Sequence, residues 1–186
     1  MHHKSGVNGM RGWRRALLLT GIFMLACLLS PALAEEVSHP FVKKIIDAVQ
    51  DENFIVIYHN CGDSASKMVD SLVKLGARGY HFGNKANMPE VMRQLPAEVI
   101  GLGNVDPSSQ FRNGTPQSIY ESTANLLREC GQYRNFVPSS GCDIPPATPW
   151  ENIESFCAAA EDYYKSVLPQ PSKIANTYAI RKSRIR

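Results

Sequence analysis

No Gly-x-Gly-x-x-Gly turn stands behind any strand-like run in this sequence, so the fingerprint of a dinucleotide site is missing. Charge of one sign is also scarce: 20 Lys and Arg face 17 Asp and Glu, a net of +3. The excess collects in the tail, where Lys173, Arg181, Lys182, Arg184 and Arg186 follow Gln170 without an acid. The body is therefore near neutral, which argues against a nucleic-acid-binding face, and residues 169–186 read as a solvated, poorly ordered end. No apolar run reaches the roughly 20 residues of a stable membrane span. Cysteine is sparse for a disulfide-stapled secreted domain: Cys27, Cys61, Cys130, Cys142 and Cys157 are odd in number and widely scattered. Of these, Cys130 and Cys157 fall on the apolar faces of helical patterns and read as small core residues.

What is present begins with an ambiguous N-terminus. Arg11, Arg14 and Arg15 precede an apolar stretch over 16–29, and Ala32-Leu33-Ala34 follows. By pattern this is a secretory signal peptide with its cleavage site. In that case Asn113-Gly114-Thr115 would be a glycosylation acceptor.

From Ser38 onward, strand-like and helix-like pieces alternate four times. Ser38 is placed to cap a helix with Phe41, Val42, Ile45, Ile46 and Val49 on one face. A strand is expected over 54–58. A helix from Asp63 or Ser64 then turns Ala65, Met68, Val69, Leu72 and Leu75 inward and stops at Gly76. A second strand covers 79–82, and Asn87 with Glu90 opens a helix running to Leu95. The third strand covers 99–102. Thr115-Pro116 opens a helix with Ile119, Leu126, Leu127 and Cys130 inward. The fourth strand covers 135–138. Thr148-Pro149-Trp150-Glu151 starts a last helix, with Ile153, Phe156, Cys157, Ala160, Tyr164 and Val167 at helical spacing.

Four strand–loop–helix units predict an α/β fold with a parallel sheet and helices outside it. Four units are half of an eight-fold βα barrel, and such a half leaves two open parallel edges. Either another chain completes it or the chain is a fragment.

Polar residues gather just after the strands. Alternation along an extended chain sends His59 and Cys61 to one face at the end of the first strand. Cys142 stands at the end of the fourth, in Ser139-Ser140-Gly141-Cys142. One imidazole and two thiolates suit tetrahedral Zn²⁺, and three protein ligands leave a position open for substrate. A buried, inert His-x-Cys pair is the plain alternative. Asn104 and Asp106 end the third strand and could orient a substrate, although Asp106-Pro107 is also ordinary turn chemistry. His81, in the second strand, is a candidate acid or base.

These residues resemble the uroporphyrinogen decarboxylase superfamily (URO-D) and, within it, the cobamide-dependent methyltransferase branch. The resemblance runs from about residue 28 to 164. It is carried by Leu29-Ser30-Pro31, His39-Pro40-Phe41, His59-Asn60-Cys61-Gly62 and Gly103-Asn104-Val105-Asp106-Pro107. It continues in Gly114-Thr115-Pro116, in Gly141-Cys142-Asp143-Ile144-Pro145, and in Thr148-Pro149 with Glu151-Asn152. It implies a TIM (β/α)8 barrel, of which this chain is the C-terminal half. It also implies zinc held by His59, Cys61 and Cys142, and transfer of a methyl group from a methylated corrinoid, carried on a partner protein, to a small thiol such as coenzyme M.

The decarboxylases proper are similar around Gly103-Asn104-Val105-Asp106-Pro107, bind a tetrapyrrole at the barrel mouth and need no metal; porphyrinogen decarboxylation is therefore the alternative activity. Family members are about twice this length. Residues 1–27 do not match, residues 28–168 form the barrel portion, and 169–186 lie beyond it. A non-catalytic fragment or subunit is the third reading. The family resemblance makes residues 28–41 part of the fold, and a thiolate-rich zinc site favours the cytoplasm over export.

Overall fold

Side chains alternate across a strand, so a sheet packed on one face buries every second residue. The computed structural model describes residues 30–168. The expectations for 1–27 (the signal pattern and Cys27 among them) and for the basic tail lie outside those residues. In chain order come α1 (Pro31–Val37), α2 (His39–Val49), β1 (Ile57–Asn60), a 3₁₀ turn (Ala65–Lys67), α3 (Val69–Val73), β2 (Gly79–Phe82) and α4 (Met88–Gln94). Then follow β3 (Ile100–Val105), a π-helical turn (Pro107–Arg112), α5 (Pro116–Cys130), β4 (Phe136–Ser140) and α6 (Trp150–Val167). The strands form one sheet in the order β1-β2-β3-β4, every pair parallel. This is the expected α/β alternation, with four βα units.

One face of the sheet is covered by helices. Tyr58, Tyr80, Phe82, Val105 and Phe136 are buried there, and Gly101 packs so tightly on Met92 and Leu95 that a Cβ would collide with both. The opposite face carries Ile57, His59, His81, Ile100, Leu102, Val137 and Ser139, none of them buried among the described residues. Ile57 is 48% exposed and Val137 42%. The core therefore lies wholly on the helical side.

Several local signals do what their chemistry dictates. Asn87 accepts from the Glu90 amide, Thr115 and Ser118 cap each other reciprocally, and Gly76 adopts φ +86° where the chain leaves α3. All five residues expected to turn inward after β1 are buried, although the segment is split into a 3₁₀ turn and a short helix around Met68.

β2 spans 79–82 as expected, whereas the bounds of the other three strands differ by one to three residues, because a strand ends where its partner does. β1 spans 57–60 rather than 54–58, since β2 offers only Gly79 to Phe82 to pair with. β3 runs on to Val105 because β4 pairs with it as far as Ser140.

Two amphipathic faces also differ. In α2 only His39, Val42 and Ile46 are buried; Phe41, Ile45 and Val49 are exposed, and with Leu33 and Val37 they form an apolar stripe at four-residue spacing. In α6 the innermost residues are Asn152 and Ala159, and Cys157 is exposed, not a core residue. The Asn152 amide donates to the carbonyls of Phe111 (2.9 Å) and Gly114 (3.0 Å). That anchor buries the Asn152 edge of α6, while Ile153, Phe156, Ala160 and Tyr164 of the expected face pack against the core as partly buried residues and Val167 is exposed. Cys130 is buried as expected, and burial pushes its thiol up to about 11.

Candidate functional site

β1 and the loop that follows β4 bring one histidine and one cysteine together from 83 residues apart. Cys142 Sγ lies 3.6 Å from His59 Nε2. His59 Nδ1 lies 3.2 Å from the carbonyl oxygen of His81. A carbonyl only accepts, so Nδ1 carries the hydrogen and Nε2 presents its lone pair to the sulfur. Burial lowers the His59 pKa, and the neighbouring His81 lowers it further. The bond to the His81 carbonyl and the Asp143 carboxylate pull partly the other way. The ring is thus held in the neutral tautomer with Nε2 free, which is the state a metal ligand needs.

The separation fits a metal. A nitrogen about 2.0–2.1 Å and a sulfur about 2.3 Å from one tetrahedral zinc stand about 3.6 Å apart. Without an ion the same distance serves an S–H···N hydrogen bond. The third expected ligand, Cys61, is not gathered with this pair. Among the described residues no three His, Cys, Asp or Glu side chains form a metal-holding group. The reason is local. β1 ends at Asn60, whose buried Oδ1 accepts from the Gly62 amide at 2.9 Å. Cys61 therefore sits in a turn, exposed, where strand alternation no longer sets its direction. It packs against Gly83, the residue after β2, where a Cβ would come within 2.6 Å of the Cys61 Cα.

His81 does not stand free as an acid or base. Its Nε2 donates to the Ser140 carbonyl at 2.6 Å and lies 3.4 Å from Ser139 Oγ. Its ring lies 4.6 Å from that of His59, tilted by 37°. Asn104 and Asp106 are likewise engaged. Asn104 Nδ2 donates to the carbonyls of Gly83 (2.9 Å) and Ala86 (2.7 Å), tying the β2–α4 loop to β3. Asp106 Oδ1 accepts from the amides of Ser108 (2.8 Å) and Ser109 (2.9 Å), and Oδ2 accepts from Asn84 Nδ2 (2.7 Å). Burial pushes the Asp106 pKa up, but these bonds outweigh it and hold the carboxyl below its ordinary value.

Both residues line a polar cleft of about 220 Å³ with Asn84, Ser109, Gln110 and Ser122. Gln110 Oε1 is buried there without a hydrogen-bond partner. Asn84 and Gln110 carry no signal in the sequence, and Ser140 stands out there only as part of the stretch that leads to Cys142. Only the partnering of Asn84 with Asp106 could have flagged one of them, and that pairing is a tertiary fact.

Comparison with known proteins agrees with this architecture. The family model described as "Uroporphyrinogen decarboxylase (URO-D)" matches residues 22–163. A methylcobamide:CoM methyltransferase, MtbA, of Methanosarcina acetivorans is 26% identical over 129 residues, 69% of this chain and 36% of the relative. A uroporphyrinogen decarboxylase of Prochlorococcus marinus is 29% identical over 133 residues, again 69% of this chain and 36% of the relative. The solved structure of a methyltransferase from Methanosarcina mazei superposes with a TM-score of 0.63 at 22% identity, over 74% of this chain and 39% of that one. At that identity the likeness is one of fold. The chain spans about a third of the length of the curated relatives it matches.

Proposed function

The chain belongs to the uroporphyrinogen decarboxylase family, and from that premise we propose that it is part of a zinc-dependent methyltransferase that moves a methyl group from a methylated corrinoid to a thiol. One observation carries the reading: the 3.6 Å approach of Cys142 Sγ to His59 Nε2, with the imidazole already in the ligand tautomer. His59, Cys142 and, after a change in its turn, Cys61 are the proposed zinc ligands. Zinc held there would lower the pKa of a bound thiol and keep it nucleophilic near neutral pH.

The chain's own part is to orient and hold. The His81 carbonyl fixes the His59 ring, and the Asn104 and Asp106 bonds fix the loops that frame the mouth of the sheet. The proposed substrate is a small thiol, and the proposed methyl donor is a corrinoid protein. The half-exposed sheet face around Ile57 and Val137, with β1 and β4 at its edges, favours a further partner that supplies the remaining strands. No helix among the described residues is long and apolar enough to cross a membrane. Residues 31–37 form a helix with Ala34 buried, which supports reading them as fold and, with the thiolate chemistry, a cytoplasmic site.

The decarboxylase reading is favoured by one observation, the 29% identity to the Prochlorococcus enzyme. Metal content separates the two. The purified 186-residue chain should retain about one zinc, and His59→Ala or Cys142→Ala should lose it with a weakening beyond the ~100-fold that loss of an outer-shell partner costs. A wild-type chain that takes up no zinc and instead binds a porphyrinogen would replace this reading with the second. A chain that does neither would mark it as a non-catalytic piece.

A further inference from the structure

We infer that His81 is a positioning residue that clamps both halves of the proposed zinc site, and the inference rests on that metal reading. His81 sits in β2, between the strand that carries His59 and the one that leads to Cys142. Its main chain acts on the first half: the His81 carbonyl accepts from His59 Nδ1 at 3.2 Å and so aims Nε2 at Cys142. Its side chain acts on the second half. Nε2 reaches across β3 to the Ser140 carbonyl at 2.6 Å, a span that joins β2 to a strand with which it does not pair. Ser140 Oγ in turn donates to the Cys142 carbonyl at 2.7 Å. An unbroken chain of bonds therefore runs from His59 through one residue to the turn that presents Cys142. The His81 ring also lies against the His59 ring, centroids 4.6 Å apart and tilted by 37°.

Such outer partners fix ring orientation and ligand spacing around a metal, and their loss typically costs 10–100-fold in affinity. The two arms can be separated because only one of them uses the side chain. Replacing His81 leaves its carbonyl, and hence the His59 bond, in place. His81→Phe keeps a ring against His59 but removes the donor to Ser140. His81→Leu removes both the ring and the donor. His81→Gln restores an N–H near the position of Nε2.

The test is a Co²⁺ titration of the full chain and these three variants, with the visible spectrum as readout, beside urea unfolding of each in the metal-free state. We expect His81→Phe and His81→Leu to bind Co²⁺ roughly 10–100-fold more weakly, with a shifted ligand-field band. We expect His81→Gln to recover most of the affinity and the wild-type band. A folded Phe or Leu variant with wild-type affinity and spectrum overturns the inference, even if its urea midpoint has moved, while leaving the zinc reading intact. A wild-type chain that shows no cobalt thiolate absorption overturns the zinc reading and this inference with it.

Discussion

The His59–Cys142 pair and the Asn104–Asp106 pair stand near the same end of one sheet and use their hydrogen-bonding capacity in opposite ways. Asn104 commits both amide hydrogens to the carbonyls of Gly83 and Ala86, and Asp106 commits both oxygens to Ser108, Ser109 and Asn84. In the other pair only His59 Nδ1 bonds to the main chain, leaving Nε2 and Cys142 Sγ turned toward each other. A polar residue at the C-terminal end of a barrel strand is therefore not reactive by position alone. What separates frame from site is how many of its donors and acceptors the backbone has already taken.

Substitutions can break that contrast, and the largest effect should come from the frame. Asn104→Ala deprives two carbonyls of their donor and should cost about 2 kcal/mol of stability in urea unfolding. Asp106→Ala removes a helix cap and the partner of Asn84, and should cost about 1–2 kcal/mol. Acid should act next.

Burial holds the pKa of His39 and of His59 below the ordinary value of about 6.5. The unfolded chain then binds more protons than the folded one between the folded and unfolded values. Stability is therefore full above about pH 6.5 and declines as pH falls toward the folded values. Urea midpoints of the metal-free chain taken from pH 7.5 down to 5 should fall, and His59→Ala should flatten part of that fall. The smallest change should come from the site itself. His59→Ala leaves one carbonyl without its donor and should cost about 1 kcal/mol of metal-free stability, and Cys142→Ala no more than that. A greater loss there than in Asn104→Ala would reverse the contrast and make the pair structural.

Much of the fold was legible because its signals are local. Gly76, Asn87, Thr115 and Gly131 lie at helix ends and make bonds to residues no more than four positions away. Strand limits were less legible, since β1 and β3 end where their neighbours end. Four residues of the expected α6 face do pack on the core, but the burial of Asn152 was not legible, because an asparagine that satisfies two carbonyls looks like a surface residue to any hydropathy pattern. The pairing of His59 with Cys142 followed from matching strand ends. The placement of Cys61 did not, since the turn closed by Asn60 Oδ1 takes over where alternation stops. The acceptors that fix His59 and His81 are main-chain carbonyls, which no residue type announces.

Gly83 gives that last turn a mechanical meaning. With no room for even a methyl group between it and the Cys61 backbone, the tips of the first two strands are geared together, so neither slides without driving the other. An alanine at 83 would act as a wedge one carbon wide, displacing the thiol of Cys61 while leaving its chemistry unchanged.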